Sequence, residues 1–195
     1  MKALVLSGGS GTRLRPQPTT SAEQPVLFDV LDGIAGVGIT DVGIVLGDTA
    51  DEVRAAVGDG ARFGVSVTYL PQGRPQGPAH AVRTARDWLG EDDFVTHPGD
   101  TFVPRGIGEQ MEEFRSRRPA AQVVPGRAGM YFFTDAVHQA VAAVDAVRPA
   151  TGDGPEIADI LRWLADQGLE VVSGTAGHLP DHELETPPEA EFQGA

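Results

Sequence analysis

The chain alternates short apolar runs with longer segments of helical periodicity, and this alternation restricts its possible folds more than any other feature. Short apolar runs predict strands, and the segments between them have the spacing of amphipathic helices. The predicted strands are residues 2–6, 41–46, 65–70, 93–96 and 121–124, and the predicted helices are residues 25–36, 49–57, 77–89 and 107–117. A strand–helix–strand order implies parallel strands joined by right-handed crossovers, with helices on both faces of the sheet.

The pattern changes after residue 118. Strands are predicted at residues 130–133 and 169–173, and helices at residues 135–147 and 155–168. A chain of 195 residues has room for one domain with a substantial core. We therefore expect a single domain over residues 1–176. Residues 177–195 contain few apolar side chains, so they are expected to form a divergent, flexible tail.

Charge and composition exclude several classes of function. A formal net charge of −13 argues against nucleic acid or an anionic membrane as a partner, because both require a basic face. No run reaches the roughly 20 apolar residues of a membrane span, and the N-terminus resembles no signal peptide, so a cytoplasmic location is expected. The absence of cysteine leaves oxygen or imidazole as the ligands for any metal ion. Lys2 is the only lysine, so a mechanism that needs a lysine inside a cleft has no other candidate.

A glycine-rich run, LSGGSGTRLRP, directly follows the first predicted strand. Glycines allow the backbone to approach a ligand closely, and successive N–H groups can then point at phosphate oxygens. Arg13 and Arg15 would add positive charge at the same place. The run matches neither the Walker pattern nor the dinucleotide-binding fingerprint. The alternative is a glycine-rich turn with two solvated arginines.

The segment GGSGTRLRP resembles the signature of the sugar-1-phosphate nucleotidyltransferases, and among them it is most similar to that of the glucose-1-phosphate thymidylyltransferases. Other motifs of that family follow in the same order over most of the chain: GITD at 38–41, GDGARFG at 58–64, GPAHA at 77–81, GMYFF at 129–133 and EIAD at 156–159. The resemblance implies a three-layer, Rossmann-like α/β fold. Its mostly parallel sheet would carry helices on both faces.

The same resemblance implies roles for individual residues. Triphosphate binding falls to Gly8, Gly9, Gly11, Thr12 and Arg13. Gln72 would read the edge of the nucleobase, and Gly77 would lie beside the base. Asp100 would bind Mg²⁺, and Asp181 matches a second metal-binding aspartate. Catalysis would depend on Arg13 and Asp100, through positioning and charge neutralisation.

The chain departs from the family pattern where the acceptor binds. The family has a Pro-Lys segment whose lysine contacts the sugar phosphate, whereas residues 18–25 run directly into Val26 without it. Only residues 125–128 separate the predicted strand at 121–124 from the GMYFF motif at 129–133, where the family has a much longer segment that carries acceptor-binding side chains. The end of the chain, GHLPD at 177–181, also differs.

Two hypotheses follow. The first is a Mg²⁺-dependent nucleotidyltransferase that moves a nucleoside monophosphate from a nucleoside triphosphate to a phosphorylated acceptor, a sugar 1-phosphate or something smaller, with release of pyrophosphate. The second is a homologue that has lost transfer and binds a nucleotide or small ligand, or catalyses another reaction with His80, His97, Asp100 and Asp181 as acid–base candidates. The sequence leaves open the base, the acceptor and the oligomeric state, a homo-oligomer included.

Overall fold

The computed structural model describes residues 1–7, 25–47, 50–72, 77–103, 106–126, 129–147 and 155–174. The described residues contain seven strands, which form one sheet, together with seven α-helices and a short 3₁₀ helix over Ala61–Phe63. The strands are β1 (Lys2–Ser7), β2 (Asp41–Leu46), β3 (Ser66–Pro71), β4 (Phe94–Pro98), β5 (Ala121–Val123), β6 (Tyr131–Phe133) and β7 (Val171–Ser173). The helices are α1 (Val26–Gly36), α2 (Ala50–Val57), α3 (Gly77–Thr84), α4 (Arg86–Leu89), α5 (Gly108–Arg117), α6 (Ala136–Val147) and α7 (Ile157–Asp166).

The strands are arranged in the order β3-β2-β1-β4-β6-β5-β7. The pairs β3–β2, β2–β1, β1–β4 and β5–β7 are parallel, whereas β6 is antiparallel to both of its neighbours. The carboxyl ends of β1 to β4 therefore form one edge of the sheet, which we call the carboxyl edge. The opposite edge, where these strands begin, is the amino edge. The mostly parallel α/β sheet that the sequence predicted is confirmed.

Two hydrophobic clusters cover the two faces of the sheet, which explains why β2 is apolar on both sides. One cluster contains Val42 and Ile44 with the buried face of α1. The other contains Val45 with the buried positions of α3, α6 and α7. Gly43 allows the indole ring of Trp88 to lie against the sheet, because a Cβ at Gly43 would come within 2.6 Å of that ring. The predicted placement of helices on both faces is correct.

The predicted elements agree with the observed ones to within one or two residues at most boundaries. The single helix predicted over residues 77–89 is wrong, because the chain forms two helices separated at Ala85. Ala85 has φ −86° and ψ −1°, at the margin of the right-handed helical region, so the helix is interrupted there although the Ala85 N–H still bonds to the Ala81 carbonyl at 3.0 Å. In the described part of the chain no helix is both long and apolar enough to cross a membrane. The predicted tail lies outside the described residues, so the domain boundary at residue 176 stays a prediction.

Candidate nucleotide site at the carboxyl edge

The carboxyl edge aligns the segments that follow β1, β3 and β4. Ser7 is in register with Leu46, and Leu46 is in register with Pro71. On the other side of β1, Leu6 pairs with Pro98, and the Gly99 N–H donates a hydrogen bond to the Leu6 carbonyl at 3.0 Å. The start of the glycine-rich run, Gln72 and Asp100 therefore leave the sheet at the same edge. Ligands of open α/β sheets bind at this edge.

Gln72 is held by its backbone and by its side chain. Its N–H donates a hydrogen bond to the Leu46 carbonyl at 3.0 Å, which extends the pairing of β3 with β2 by one residue. Its side-chain Nε2 is hydrogen-bonded to Nδ1 of His80 in α3. Both side chains are half-buried. The predicted base-reading residue is thus part of a pair of side chains that spans a strand end and a helix.

Gly77 begins α3 with a φ of +81°, a left-handed conformation that favours glycine. Beyond its own helix and its chain neighbours, no atom of the described residues would lie within 4 Å of a Cβ at this position. The backbone conformation, rather than crowding by the fold, is therefore the reason for a glycine here. Pro78 follows at the first turn, where its missing N–H costs no helical hydrogen bond. The helix is anchored by Ala79, Ala81 and Val82, which are buried in the same cluster as Val45.

His80 is neutral at physiological pH in this environment. Partial burial lowers the pKa of its imidazole below the usual 6.5, and the positive charge of Arg83 lowers it further. The negative charge of Asp145 acts in the opposite direction and is the smallest of the three effects. Arg83 and Asp145 also form an ion pair at 3.0 Å, which links α3 to α6. His80 is therefore suited to hydrogen bonding rather than to carrying a charge.

Asp100 lies in the turn that follows β4 and is exposed. The Thr101 hydroxyl donates a hydrogen bond to its Oδ1 at 3.3 Å. Gly99 precedes it where a Cβ would approach the Leu6 carbonyl oxygen to 3.3 Å, so the turn passes very close to β1. The described ranges contain no group of three or more His, Cys, Asp or Glu side chains that could hold a metal ion. Mg²⁺ often takes one or two carboxylates and completes its shell with substrate phosphates and water, so an exposed Asp100 fits such an ion.

His97 is the penultimate residue of β4, but its side chain is buried and does not open onto the carboxyl edge. Its ring is buried between β4 and α1, and its Nδ1 lies 2.7 Å from the Pro98 carbonyl oxygen. It lines a small cavity together with Asp29 and Val103. His80 and Asp100 do lie at this edge, but β2 and β1 separate the strands that precede them. The structure therefore does not bring His80, His97 and Asp100 together as one acid–base group.

β5 and β6 form a hairpin whose connection leaves β5 and enters β6 at the carboxyl edge. Val123 pairs with Tyr131, and the Val124 N–H donates a hydrogen bond to the Met130 carbonyl at 3.3 Å. The Thr96 hydroxyl donates to the Gly129 carbonyl at 2.9 Å and accepts from the Tyr131 N–H at 3.1 Å. The short connection that the sequence indicated is confirmed. No long acceptor-binding segment separates these two strands.

Lys2 lies at the amino edge and is fully occupied there. Its ammonium group donates hydrogen bonds to the Trp88 carbonyl at 2.6 Å and the Leu89 carbonyl at 3.2 Å, and it pairs with Asp92 at 2.9 Å. It also lies 5.1 Å from the centre of the Trp88 ring. The hydrogen bond from Lys2 is the main reason why the pKa of Asp92 is lowered. The only lysine therefore stabilises the end of α4 at the amino edge and does not lie at the carboxyl edge, where an acceptor would bind.

Sequence reasoning picked out Gln72 and Asp100 at this edge but missed the side chain that contacts Gln72. Gln72 and Asp100 are where parallel strands were expected to place them, and Gly77 begins the helix next to Gln72. His80 was considered only as an acid–base candidate, and its contact with Gln72 was not predicted. Its position in the first turn of the helix after β3 was the available signal. The other predicted site residues, Gly8, Gly9, Gly11, Thr12, Arg13 and Asp181, lie outside the described residues.

Comparison with known proteins identifies relatives of the chain. Residues 2–126 match the nucleotidyl transferase family. Glucose-1-phosphate thymidylyltransferases of Streptomyces griseus and Streptomyces antibioticus are each 44% identical over 89% of this chain. The chain spans only 59% and 60% of the length of these relatives. The first alignment runs over 214 positions, more than the 195 residues of the whole chain, so the relative contains internal segments that this chain lacks.

A solved structure supports the fold. A Bacillus anthracis protein, crystallised in complex with a sucrose and described as a glucose-1-phosphate thymidylyltransferase, superposes with a TM-score of 0.73. The superposition covers 89% of this chain and 87% of that one, at 23% sequence identity. The family match over most of the sheet, together with this architecture, shows that the chain belongs to the nucleotidyl transferase family.

Proposed function

We propose that the protein transfers a nucleoside monophosphate from a nucleoside triphosphate to a small phosphorylated acceptor and releases pyrophosphate. Its matched relatives are named for the transfer of a thymidylyl group to glucose 1-phosphate. A thymidine or uridine triphosphate is therefore the first donor to test. Because the chain is so much shorter than those relatives, the acceptor is proposed here by chemical class only.

The order of residues along the carboxyl edge is the observation that carries the proposal. Gln72 follows β3, the glycine-rich run follows β1, and Asp100 follows β4, and the strand order is β3-β2-β1-β4. Neighbouring strands lie about 4.8 Å apart, so the ends of β3 and β4 are separated by about 14 Å. A nucleotide lying across this edge with its base at Gln72 would have its phosphates at the glycine-rich run and their far end near Asp100.

The reaction needs no nucleophile from the protein. An oxygen of the acceptor phosphate attacks the α-phosphorus, the bond from that phosphorus to the oxygen bridging to the β-phosphate breaks, and pyrophosphate leaves with the electron pair. The backbone N–H groups of the glycine-rich run and Arg13 would hold the triphosphate, and Asp100 would hold Mg²⁺. Asp100 would thus place a divalent charge beside the triphosphate, and the chemistry supplied there would be neutralisation of the charge that develops in the transition state.

The acceptor side is where this chain is expected to differ from its relatives. Two anionic substrates repel each other in a cleft, and an acidic protein increases that repulsion unless cations lie nearby. Lys2 cannot supply one, because it is bound at the amino edge. The arginines that the structure describes all contact partners within the fold: Arg54, Arg62, Arg83, Arg86, Arg115, Arg117, Arg118 and Arg162. Positive charge for the acceptor would therefore have to come from Mg²⁺ or from arginines outside the described residues, such as Arg13 and Arg15.

The test is a screen of the purified protein against the common nucleoside triphosphates with Mg²⁺, in which nucleotide binding and pyrophosphate release are measured for several phosphorylated acceptors. Asp100→Asn is expected to abolish most of the Mg²⁺-dependent turnover. Asp41→Asn is the matched control, because Asp41 is an exposed aspartate at the amino edge. Equal turnover by Asp100→Asn and the control would refute the role given to Asp100.

A second candidate function is nucleotide binding without transfer. The β5–β6 hairpin favours it, because it replaces the segment with which the family binds the acceptor. In the same screen this alternative predicts binding of a triphosphate with no pyrophosphate release for any acceptor. The cytoplasmic location and the oligomeric state stay predictions from the sequence.

A further inference from the structure

We propose that His80 is a positioning residue that fixes which way the Gln72 side-chain amide faces, and that it thereby makes the base site prefer uracil or thymine over cytosine. The inference rests on the proposed function, in which Gln72 reads the base. It adds the residue that determines how Gln72 reads it.

The chemistry of the contact determines the orientation of both groups. The Nε2 of a glutamine side chain is a donor and cannot accept a hydrogen bond, whereas each nitrogen of a neutral imidazole is either a donor or an acceptor. Because Gln72 Nε2 is bonded to His80 Nδ1, that nitrogen must be the acceptor. The ring is then neutral with its proton on Nε2. One N–H of Gln72 is used by His80, and the carbonyl oxygen and the second N–H remain for a ligand.

Both ends of the contact are fixed by the fold. The backbone of Gln72 continues the β3–β2 pairing through its bond to Leu46. In α3, the residues on either side of His80, Ala79 and Ala81, are almost fully buried. The Thr84 hydroxyl donates to the His80 carbonyl at 2.9 Å, one turn further along. Rotation of the amide by 180° would place its oxygen against Nδ1, and a hydrogen bond would survive only if the ring proton moved from Nε2 to Nδ1 at the same time.

A fixed amide distinguishes pyrimidines that a free amide would accept equally. Uracil and thymine present a ring N–H beside a carbonyl oxygen, whereas cytosine presents an unprotonated ring nitrogen beside an amino group. The two patterns of donor and acceptor are opposite at the same positions. An amide that can rotate pairs with either base in two hydrogen bonds. An amide with its oxygen and nitrogen in fixed positions forms both hydrogen bonds with only one of these two types of base. With the other type, donor faces donor and acceptor faces acceptor.

The protonation state of His80 controls the orientation of the Gln72 side-chain amide. A protonated Nδ1 becomes a donor and requires the amide oxygen in place of its nitrogen, so the amide would turn over. Partial burial and Arg83 lower the pKa of His80, and Asp145 partly opposes them. These charged groups lie on α3 and α6. The neutral ring, and with it the fixed orientation of the amide, therefore persists at pH 6.5 and is lost only as the pH falls through the lowered pKa.

The experiment compares deoxyuridine triphosphate with deoxycytidine triphosphate, which differ only at the edge of the base. Affinities are measured by calorimetry with Mg²⁺ for the wild type, His80→Phe, Gln72→Ala and the double variant. The wild type is expected to bind the uracil nucleotide about tenfold more tightly, the usual discrimination of one bidentate pair. His80→Phe keeps a ring of similar size but removes the acceptor, and the ratio is expected to fall to about one. In the Gln72→Ala background the same substitution should leave the ratio unchanged, because the amide on which it acts is absent.

A pH series gives a second readout that a purely structural role of His80 would not change. The ratio for the wild type is expected to decline as the pH is lowered from about 7.5 to about 5.5, where most of the cytosine is still unprotonated, whereas that of His80→Phe stays constant. Protonation of the triphosphate affects both nucleotides equally and cancels in the ratio. If the wild type prefers uracil and His80→Phe retains that preference at every pH, the positioning role of His80 is refuted and the proposed function stands. If the wild type binds no nucleoside triphosphate, the proposed function fails and the inference fails with it.

Discussion

Replacing His138 with phenylalanine is predicted to remove an acid-sensitive part of the stability. His138 lies in α6, is only 7% exposed, and stacks on Phe94 with ring centroids 6.1 Å apart. Its Nε2 is buried without a hydrogen-bond partner in the structure. Burial lowers the pKa of this imidazole from 6.5 to about 4, with a further decrease from Arg86 and smaller opposing effects of Asp135 and the Gly90 backbone.

The magnitude follows from the difference between the folded and unfolded pKa. The folded state keeps the ring neutral, whereas the unfolded chain takes up a proton below pH 6.5, so acid favours unfolding. The contribution of His138 is therefore constant above pH 6.5 and is lost progressively toward pH 4. Each pKa unit corresponds to 1.36 kcal/mol, so the free energy of unfolding is expected to lose about 2 to 3 kcal/mol through this group between pH 7.5 and 4.5.

Urea denaturation of the wild type and His138→Phe over that pH range measures the effect. The carboxylates titrate in both proteins, so the difference between the two free energies isolates His138. Phenylalanine fills the same space beside Phe94 and removes the buried Nε2, but it also loses the hydrogen bond with the Gly90 backbone, so stability at neutral pH is expected to change little. Parallel pH dependences of the two proteins would refute the reasoning. A His138 titration midpoint near 6.5 by NMR would also refute it.

Three further predictions concern charge and substrate. Arg13→Ala is expected to weaken triphosphate binding by about 1.5–3 kcal/mol in calorimetry, the value of a hydrogen bond to a charged group, and unchanged affinity in a folded variant would exclude a phosphate-binding role. Turnover of glucose 1-phosphate with thymidine triphosphate should be at least about 10²-fold slower than in a full-length thymidylyltransferase, which corresponds to roughly 2.7 kcal/mol of transition-state stabilisation. Comparable rates of pyrophosphate release in the two enzymes would contradict this. Lys2→Met should lower the free energy of unfolding by about 1–2 kcal/mol, because the carbonyls at the end of α4 lose a charged donor. The affinity for nucleotide should stay unchanged, and a reduced affinity would place Lys2 in the nucleotide site after all.

The sequence predicted the elements and the topology well because both depend on local patterns. The run DVGIVL is apolar enough to be read as a strand buried on both faces, and β2 occupies those six residues. Parallel pairing then determines where strand ends meet, so Gln72 and Asp100 could be assigned to one edge before any contact was known. Their proposed roles as base reader and metal ligand came from the family resemblance and not from these patterns.

Contacts between distant parts of the chain could not be predicted in this way. Lys2 binds the carbonyl of Trp88, which is 86 residues away, and no periodicity relates the two. The contact between Gln72 and His80 depends on the angle at which α3 leaves the carboxyl edge, and that angle is set by the packing of Ala79 and Ala81. The break at Ala85 is equally invisible, because RTARDWL has the composition of an uninterrupted helix.

The β5–β6 hairpin makes the acceptor side of this protein replaceable. Its two strands are held by their own pairing and by Thr96, so the sheet does not depend on what connects Val124 to Met130. Lengthening a closed loop costs little, only about 0.6 kcal/mol for each doubling of its length. A segment transplanted from a longer relative between these two residues would arrive at the carboxyl edge with the strand register intact. Acceptor choice could thus be gained or exchanged by loop grafting while the nucleotide half of the protein stays the same.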